Sequence, residues 1–461
     1  MLIVSAVTGF TSCKKYLDVN ENPNAATKPP INGLLVNVTQ QTGLNVYRVS
    51  NITSYYVQYL ANVSVGGATD TYEPIDASST WSNLYETMTD IYDLDKLAAE
   101  QSAFYYQGIS KIMMAMNLQL VHNLWGSAPY SDAFSGNTLT PEYDNAESIF
   151  QTCLSLLDEG ISLLNNPQPG IDISSSDDLI HQGDVSAWIK TAHALKARLL
   201  NQLSKTSQYD PSAIFDELDD AYTSAADDAY LNTFSVVNPW NQVAINNSNL
   251  LLDGWLSTTY INAMNGTTFG IFDPRLPFTA SLTQFGDYRG TRNGGDRFGS
   301  GIDDEESYVS LTGYYSSESA PLYIITYEEM KFIEAEAAFR DGDKMRAYAA
   351  YLEGIRANMN KLGVAAADRD DYVGDPSVSV GEANLTLKDI FTEKYKALFL
   401  MPVTWDDARR FDYGYEDFML PLNVVTSTFV RRLVYPTVET ARNSANVPTV
   451  TDVTQKLWWD Q

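Results

Sequence analysis

The sequence predicts a mainly α-helical protein, built on a scaffold of tetratricopeptide-like helical hairpins that carries long loops for binding a ligand. Three observations predict this class. Apolar residues recur at steps of three or four in several segments, two such segments are joined by a short glycine turn, and long polar connections separate the rest. At 461 residues, 44% of them hydrophobic, the chain can bury a large core.

Helical periodicity is clearest in the segment Trp188–Leu203, where Trp188, Leu195 and Leu199 fall on one apolar stripe. The same period predicts helices over Ala146–Leu164, Lys344–Lys361 and Leu385–Leu400. Asp210-Pro211-Ser212 has the composition of a helix start, with a capping side chain followed by proline.

One predicted helical hairpin defines the scaffold. The segments Thr326–Arg340 and Lys344–Lys361 are joined only by Asp341-Gly342-Asp343, so we expect the two helices to pack antiparallel. Ala335, Ala337 and Ala338 are small enough to allow a close approach. This is the layout of a tetratricopeptide hairpin, although the full repeat consensus is not legible.

Two long polar connections interrupt the helices, at residues 165–184 and at about 232–320. Long loops without secondary structure are uncommon in compact proteins and usually have a function. The second connection contains several aromatic residues, which favours a binding role for it over disorder.

Net charge limits the class of ligand. The chain has 58 acidic and 30 basic residues, for a formal charge of −28. A nucleic acid is bound through Lys and Arg, so we predict no nucleic-acid partner, and anionic polysaccharides would need calcium or a local basic patch. The 29 tyrosines and 8 tryptophans instead suit neutral sugar rings, since each offers an apolar face with a polar edge, although most of them must serve the core.

The N-terminus predicts a lipoprotein. An apolar stretch over residues 2–7 leads to Thr11-Ser12 in front of Cys13, which is the arrangement that a lipoprotein signal peptidase accepts. We predict a signal peptide over residues 1–12 and lipidation of Cys13, while the length of the chain is compatible with two or three ordinary domains or one large one. The leader lacks Lys and Arg before Cys13, so a misplaced start or a truncated front end stays open. Cys153 is then the second and last cysteine, predicted as a buried thiol.

Catalytic and metal motifs are missing from the sequence. There is no HExxH, GxSxG, P-loop or complete GxGxxG, and the three histidines lack metal-ligand spacing. Asp18–Asn22 opens like a calcium loop, but Pro23 and Pro29 occupy positions that need Gly and Glu. Asp303–Glu306 is interpreted as a solvated acidic loop, and Trp405–Arg410 and Trp125–Tyr130 as structural segments. We therefore predict no catalytic residues, no metal and no cofactor. A glycosidase needs only two carboxylates, so that alternative stays open.

Several segments, in order along the chain, resemble the SusD/RagB-like family of outer-membrane nutrient-binding lipoproteins. The segments that carry the resemblance are Cys13 followed by Tyr16–Asn24, Leu124–Tyr130, Asp273–Leu276, Thr326–Glu329 with Glu334–Ala337, Glu393–Phe399 with Thr404–Arg410, and Arg432–Pro436. Each motif is weak alone, but their order spans nearly the whole mature chain.

The resemblance implies a single α-helical domain over residues 13–461, without catalytic activity and anchored by its lipid on the extracellular face of the outer membrane. It implies a SusC-like TonB-dependent transporter as partner and the capture of a nutrient, an oligosaccharide or in some members a peptide, for uptake. The family places its ligand contacts in variable loops, so no binding residue is carried over by motif.

Loop aromatics are the candidates for ligand contact. Trp240 follows Pro239 between two asparagines, Tyr288 precedes Arg289 in a glycine-containing loop, and Tyr314-Tyr315 follows Gly313. Tyr72, in the loop before Trp81, is a further candidate, whereas Trp81 is expected to pack within its own helix. Four functions stay open: capture of a neutral glycan, which we favour, capture of a peptide, glycoside hydrolysis, or binding of the transporter alone.

Overall fold

Helices dominate the part of the chain that the structure, a computed structural model, describes: residues 29–62, 64–250, 254–295 and 305–461, without the side chains of 249 and 250. The predicted signal peptide, Cys13, Tyr16–Asn24, Asp303 and Asp304 lie outside these residues. The helices are α1 Ile31–Tyr56, α2 Ala68–Thr71, α3 Ser78–Glu100, α4 Phe104–Trp125, α5 Ala146–Leu164, α6 Val185–Gln202, α7 Pro211–Asp219, α8 Pro239–Leu250, α9 Thr258–Met264, α10 Tyr327–Asp341, α11 Lys344–Leu362, α12 Ala366–Gly374, α13 Leu387–Ala397, α14 Val403–Arg410 and α15 Thr437–Arg442.

Within the described ranges, the strands are short and form two antiparallel pairs. They are β1 Leu60–Ala61, β2 Ala229–Leu231, β3 Trp255–Leu256 and β4 Leu322–Ile325. β1 pairs with β3, and β2 pairs with β4. Both pairs join segments that are far apart in the sequence, so each fixes a loop region against the helical scaffold.

Helices that follow one another in the chain pack against one another, as in a stack of hairpins. α3 packs on α4, α4 on α5, α6 on α7, and α10 on α11, while α10 also contacts α6, α7 and α13. The long helix α1 lies against α3, α4 and the β2–β4 pair and buries Leu35, Val38 and Val49. The mainly helical, tetratricopeptide-like class predicted from the sequence is confirmed.

The hairpin of α10 and α11 forms where the sequence predicts it. The Thr326 hydroxyl accepts the amide of Glu329 at the start of α10, and the Asp343 carboxylate accepts the amide of Arg346 at the start of α11. Gly342 between them has φ of 93°, a left-handed conformation that glycine adopts without strain. The three alanines of the first helix are fully buried.

Other predicted helices are confirmed with small changes of boundary. α5 has the predicted bounds, and α7 begins at Pro211 with the Asp210 side chain as its cap. α6 begins at Val185 because the Asp184 carboxylate accepts two amides of its first turn. The segment predicted over Leu385–Leu400 is helical only from Leu387 to Ala397.

The expectation of a structureless connection over residues 232–320 is wrong. It contains α8, β3 and α9. Asn238 explains the missed helix α8, because its side-chain oxygen accepts the amide of Trp240 at 2.6 Å while its amide nitrogen donates to the carbonyl of Ala320 at 2.6 Å. A polar sequence with weak apolar periodicity thus becomes helical through a cap that is held by a distant segment. The connection 165–184 has no helix or strand, as predicted.

The charged segment Trp405–Arg410 is structural, as predicted, and forms the buried helix α14. Arg410 donates to Glu336 of α10 at 2.7 Å and to Asp407 at 2.6 Å. Arg409 donates to the carbonyls of Asn123 and Arg431, both at 2.8 Å. These bonds join α4, α10, α14 and the C-terminal segment.

Three smaller predictions are also confirmed. Trp81 is buried within α3, Gly126 ends α4 with φ of 82°, and Cys153 is a buried free thiol whose pKa is raised by burial. Within the described ranges, no helix has both the length and the apolar character needed to cross a bilayer.

Replacing Gly160 by Ala should destabilise the protein. Gly160 of α5 faces Gly108 of α4, and an added Cβ would lie 2.8 Å from Cγ1 of Ile112 and 3.0 Å from the Gly108 carbonyl oxygen. Because a backbone atom cannot yield easily, we expect the free energy of unfolding to fall by about 1–3 kcal/mol in urea denaturation. Gly374→Ala is the control, since nothing lies within 4 Å of its Cβ position. Equal stabilities for the two variants would contradict this interpretation of the α4–α5 contact.

Candidate functional site

Three tyrosines line an open groove that also contains a predicted ligand contact. We call it the tyrosine groove and define it by Tyr230, Tyr314 and Tyr323. Its volume is about 490 Å³, within the range of small-ligand sites. The remaining lining residues are Ala225, Ala226, Asp228, Asn232, Ser319, Pro321 and Lys361.

Strand pairing places the first two tyrosines side by side. Tyr230 of β2 is opposite Tyr323 of β4. In both strands the neighbours of the tyrosine are buried and the tyrosine itself is half-buried, as expected when alternate side chains point to opposite faces. Their ring centroids lie 5.8 Å apart in an edge-to-face arrangement.

Tyr314 reaches the groove from a turn that a backbone hydrogen bond holds in place. Its amide donates to the carbonyl of Phe278 at 2.7 Å. Its ring is parallel to that of Tyr323, with an interplanar angle of 8° and centroids 6.4 Å apart, and the two hydroxyls are hydrogen-bonded at 2.8 Å. The two rings therefore hold each other in one orientation.

A buried lysine closes the floor of the groove. Lys361 of α11 forms ion pairs with Asp228 and Glu328, and its Nζ lies 4.6 Å from the centroid of the Tyr323 ring. Burial lowers its pKa, but the two carboxylates outweigh this effect and raise it, so the lysine stays charged. Burial, helped by Glu328 and opposed by Lys361, raises the pKa of Asp228 to about 7. One cation thus faces two carboxylates.

The groove offers aromatic faces and polar groups together. Each tyrosine ring has an accessible part, while Asn232 and Ser319 are exposed at the rim. Such a surface can stack against an apolar face and hydrogen-bond the groups around it without any covalent chemistry.

Three of the five predicted ligand contacts lie at or next to the groove. Tyr314 lines it directly. Tyr315, only 7% exposed, packs edge-to-face on Tyr314 at 5.3 Å. Trp240, 3% exposed, lines a narrow cleft together with Tyr315 and Tyr323.

The loop position assigned to Trp240 is wrong. It lies in the first turn of α8 and packs edge-to-face on Tyr47 of α1 at 4.9 Å. The cap at Asn238 starts the helix here, and the Trp240 indole packs into the protein beside Tyr323 of the groove.

Tyr72 and Tyr288 lie outside the lining of the groove. Tyr72 is fully buried in a left-handed conformation, with φ of 61°, and contacts Tyr56 and Phe429, so in this structure it pins its loop to the core. Tyr288 is half-buried, and its ring centroid lies 6.3 Å from that of Phe272. Phe285, three residues earlier in the chain, is exposed, and the Arg289 guanidinium packs on one face of its ring. These residues form a second, separate aromatic surface.

The groove residues that sequence reasoning missed are Tyr230, Tyr323, Asp228, Asn232 and Lys361. Tyr323 could have been found from the sequence, because it is the single polar-edged residue in the short apolar run Leu322–Ile325. Nothing local indicated its partner Tyr230, because the two residues meet only through strand pairing.

Comparison with known proteins gives the family. A model of SusD-like proteins, described as starch-binding and associating with the outer membrane, matches residues 23–436. The chain therefore belongs to the SusD-like family, and the resemblance deduced from its motifs is confirmed. A comparison with curated proteins finds no match.

Solved structures with the same fold include two that are described as chitin-binding. A chitin-binding SusD homologue from Flavobacterium johnsoniae has a TM-score of 0.79 at 20% identity and covers 94% of this chain and 98% of its own. A second chitin-binding protein has a TM-score of 0.77 at 23% identity, with 94% and 100% covered. A SusD/RagB family protein from Bacteroides thetaiotaomicron has a TM-score of 0.75 at 20% identity, with 94% and 99% covered. At these identities the likeness establishes the fold.

Replacing Lys361 by Met should destabilise the fold strongly. The change leaves Asp228 and Glu328 buried without their cation, which costs about 3–5 kcal/mol. The loss should grow as the pH rises from 5 to 8, because a carboxyl buried without a cation is harder to ionise in the folded variant than in its unfolded chain. Lys388→Met is the control, because the ion pair of Lys388 with Glu416 is about half exposed and should contribute less than about 1 kcal/mol. Urea denaturation at several pH values measures the stability of both variants. A loss for Lys361→Met that does not depend on pH would contradict the role of Lys361 as the partner of the two buried carboxylates.

Proposed function

We propose that this protein captures a neutral glycan at the cell surface and passes it to a SusC-like TonB-dependent transporter in the outer membrane. The observation that carries the proposal is the tyrosine groove, an open site with three oriented aromatic rings and polar groups at its rim.

Sugar rings fit the chemistry of this groove. A pyranose presents C–H groups on its faces and hydroxyls around its edge, which match the face and the edge of a tyrosine ring. The side chains of Asn232 and Ser319 at the rim can exchange hydrogen bonds with those hydroxyls.

Charge favours a ligand without negative groups. The protein carries a formal charge of −28, and Lys361, the one cation among the described residues that line the groove, is already paired with Asp228 and Glu328. An acidic or sulfated polysaccharide would meet repulsion at long range and no unpaired cation at the groove. Starch, in the description of the family, and chitin, in that of two structural neighbours, are uncharged polymers.

The anchoring and the partner belong to the same proposal. A leader over residues 1–12 and a lipid on Cys13 would hold one domain, residues 13–461, on the extracellular face of the outer membrane, where it would act as the capturing partner of the transporter in polysaccharide utilisation. Capture by stacking and hydrogen bonding needs no catalytic group, metal or cofactor, and the acidic chain is unsuited to nucleic acid.

The other candidate residues take graded roles. Tyr314 would contact the glycan directly, while Trp240 and Tyr315 would hold the groove from beneath. Tyr288, with Phe272 and Phe285, would offer further stacking at the second aromatic surface. Tyr72 would contact a ligand only after its loop leaves the core, because its ring is fully buried.

Tyr230→Ala should weaken glycan binding about tenfold while leaving the fold intact. The change removes an aromatic face at the edge of the groove, and a tenfold loss corresponds to about 1.4 kcal/mol. Isothermal titration calorimetry of the protein without its predicted leader, against malto-oligosaccharides, chito-oligosaccharides and oligopeptides, gives the affinities. Tyr105→Ala is the control, since Tyr105 is half-buried on α4 outside the groove.

The same titrations test the alternatives. Saturable heat with peptides alone would replace the glycan by a peptide. A steady heat signal, together with shorter sugars when the mixture is analysed by chromatography, would reveal hydrolysis. Equal affinities of the Tyr230→Ala and Tyr105→Ala variants would remove the groove as the binding site.

A further inference from the structure

A second pocket lies between α11, α12, α13 and the loop after α9. We call it the α13 pocket and define its walls by Phe269, Tyr351 and Tyr372. Its volume is about 240 Å³, half that of the tyrosine groove and below the usual range for drug-sized ligands. Three aromatic side chains around so small a space favour a single ring as occupant.

The floor of the α13 pocket is a built polar network. Lys396 donates to the Tyr372 hydroxyl and to Glu393, both at 2.8 Å, and the other oxygen of Glu393 accepts from Arg275 at 2.6 Å. The side chains of Lys396 and Glu393 are only 3% and 4% exposed. Their geometry is thus fixed before any ligand arrives, which reduces the entropy cost of binding.

One hydroxyl at this pocket is left without a partner. The Thr392 side chain lines the pocket one residue before Glu393, and no hydrogen bond to its hydroxyl is found among the described residues. A hydroxyl both donates and accepts, so it suits a ligand that carries hydroxyls of its own.

The charges at the pocket select against an anion. Lys388 and Lys396 face Asp389, Glu393 and Glu416, and Lys388 already pairs with Glu416 across the mouth. Lys396 has a carboxylate at hydrogen-bonding distance. The pocket therefore has aromatic faces, a free hydroxyl and no unpaired cation among its described residues, and this combination suits an uncharged polyhydroxylated ring.

Both binding regions lie along one rigid element. Tyr351 of the α13 pocket and Lys361 of the tyrosine groove belong to α11, about 15 Å apart along its axis. Two sites at a fixed separation can hold two parts of one chain, and the second contact is then intramolecular, which raises the affinity for long chains above that for short ones.

We infer that the α13 pocket is a second carbohydrate subsite, which holds one sugar ring of the neutral glycan bound at the tyrosine groove. The inference rests on the proposed function. It adds a site that selects for chain length, since only a chain that reaches from the groove to the pocket can occupy both.

Fluorine NMR tests occupancy of the two sites independently. One sample carries fluorophenylalanine, with the Phe269 signal assigned from a Phe269→Leu variant, and the other carries fluorotyrosine, with the Tyr314 signal assigned from Tyr314→Phe. Each is titrated with malto- and chito-oligosaccharides of increasing length, with glucose and N-acetylglucosamine, and with oligopeptides. We expect a glycan to shift the Phe269 signal and peptides to leave it unchanged.

The outcomes separate the two hypotheses. A glycan that shifts Tyr314 but never Phe269 would overturn the second subsite and leave the proposed function standing. A shift of Phe269 alone would support the pocket as a sugar site but refute its link to the groove. A shift by peptides only, or no shift with any compound in the panel, would overturn the subsite.

Variants measure its contribution to affinity. Thr392→Val keeps the side-chain volume and removes the free hydroxyl, so binding of the longest glycan that binds should weaken about fivefold, as for one lost hydrogen bond, while the shortest glycan held by the groove should be unaffected. Thr89→Val is the matched control, since Thr89 is exposed on α3. An equal loss for short and long chains, or none for either, would contradict a role in length selection.

Discussion

The two arginines of α14 connect parts of the chain that local structure could not bring together. Arg410 binds Glu336 of the α10 hairpin and the carbonyl of Asn201 in α6, while Arg409 binds carbonyls of α4 and of the C-terminal segment. Both side chains are buried, so each needs all of its partners in place. Hydrophobic burial drives the collapse of the helices, but this network requires one particular arrangement of them.

That arrangement determines where a ligand can bind. The hairpin of α10 and α11 supplies the floor of the tyrosine groove through Lys361, which Glu328 of α10 holds by an ion pair, and α11 and α13 supply much of the second pocket. The loop regions add aromatic rings, but strand pairing and capping at Asn238 fix them to the scaffold. The two candidate binding surfaces are therefore held by packed helices and anchored loops, which is the arrangement expected of a site that changes shape little on binding.

Buried charge has a different meaning from exposed charge in this acidic protein. The acidic excess repels polyanions at long range. Most of the buried carboxylates among the described residues instead accept hydrogen bonds from an arginine, a lysine or a backbone amide, as at Asp273, Glu336 and Glu393. Charged segments such as Trp405–Arg410 are consequently structural, and the lysines that line the two candidate sites, Lys361, Lys388 and Lys396, are each already paired with a carboxylate. Both candidate sites therefore have no unpaired cation among the described residues, which agrees with the neutral ligand proposed for them.

The sequence by itself determined the helical class, the α10–α11 hairpin, the bounds of α5 and the start of α7, because periodicity, caps and short turns act over a few neighbouring residues. The resemblance to the family came separately, from the order of its motifs along the chain. It also indicated Tyr314 as an accessible aromatic. Tertiary structure alone decided that Trp240 and Tyr315 face inward, that Tyr72 is buried, and that Tyr230 meets Tyr323, since long-range pairing and packing set these positions. A loop aromatic looks the same in sequence whether it binds a ligand or holds its loop to the core, and only the surrounding fold distinguishes the two.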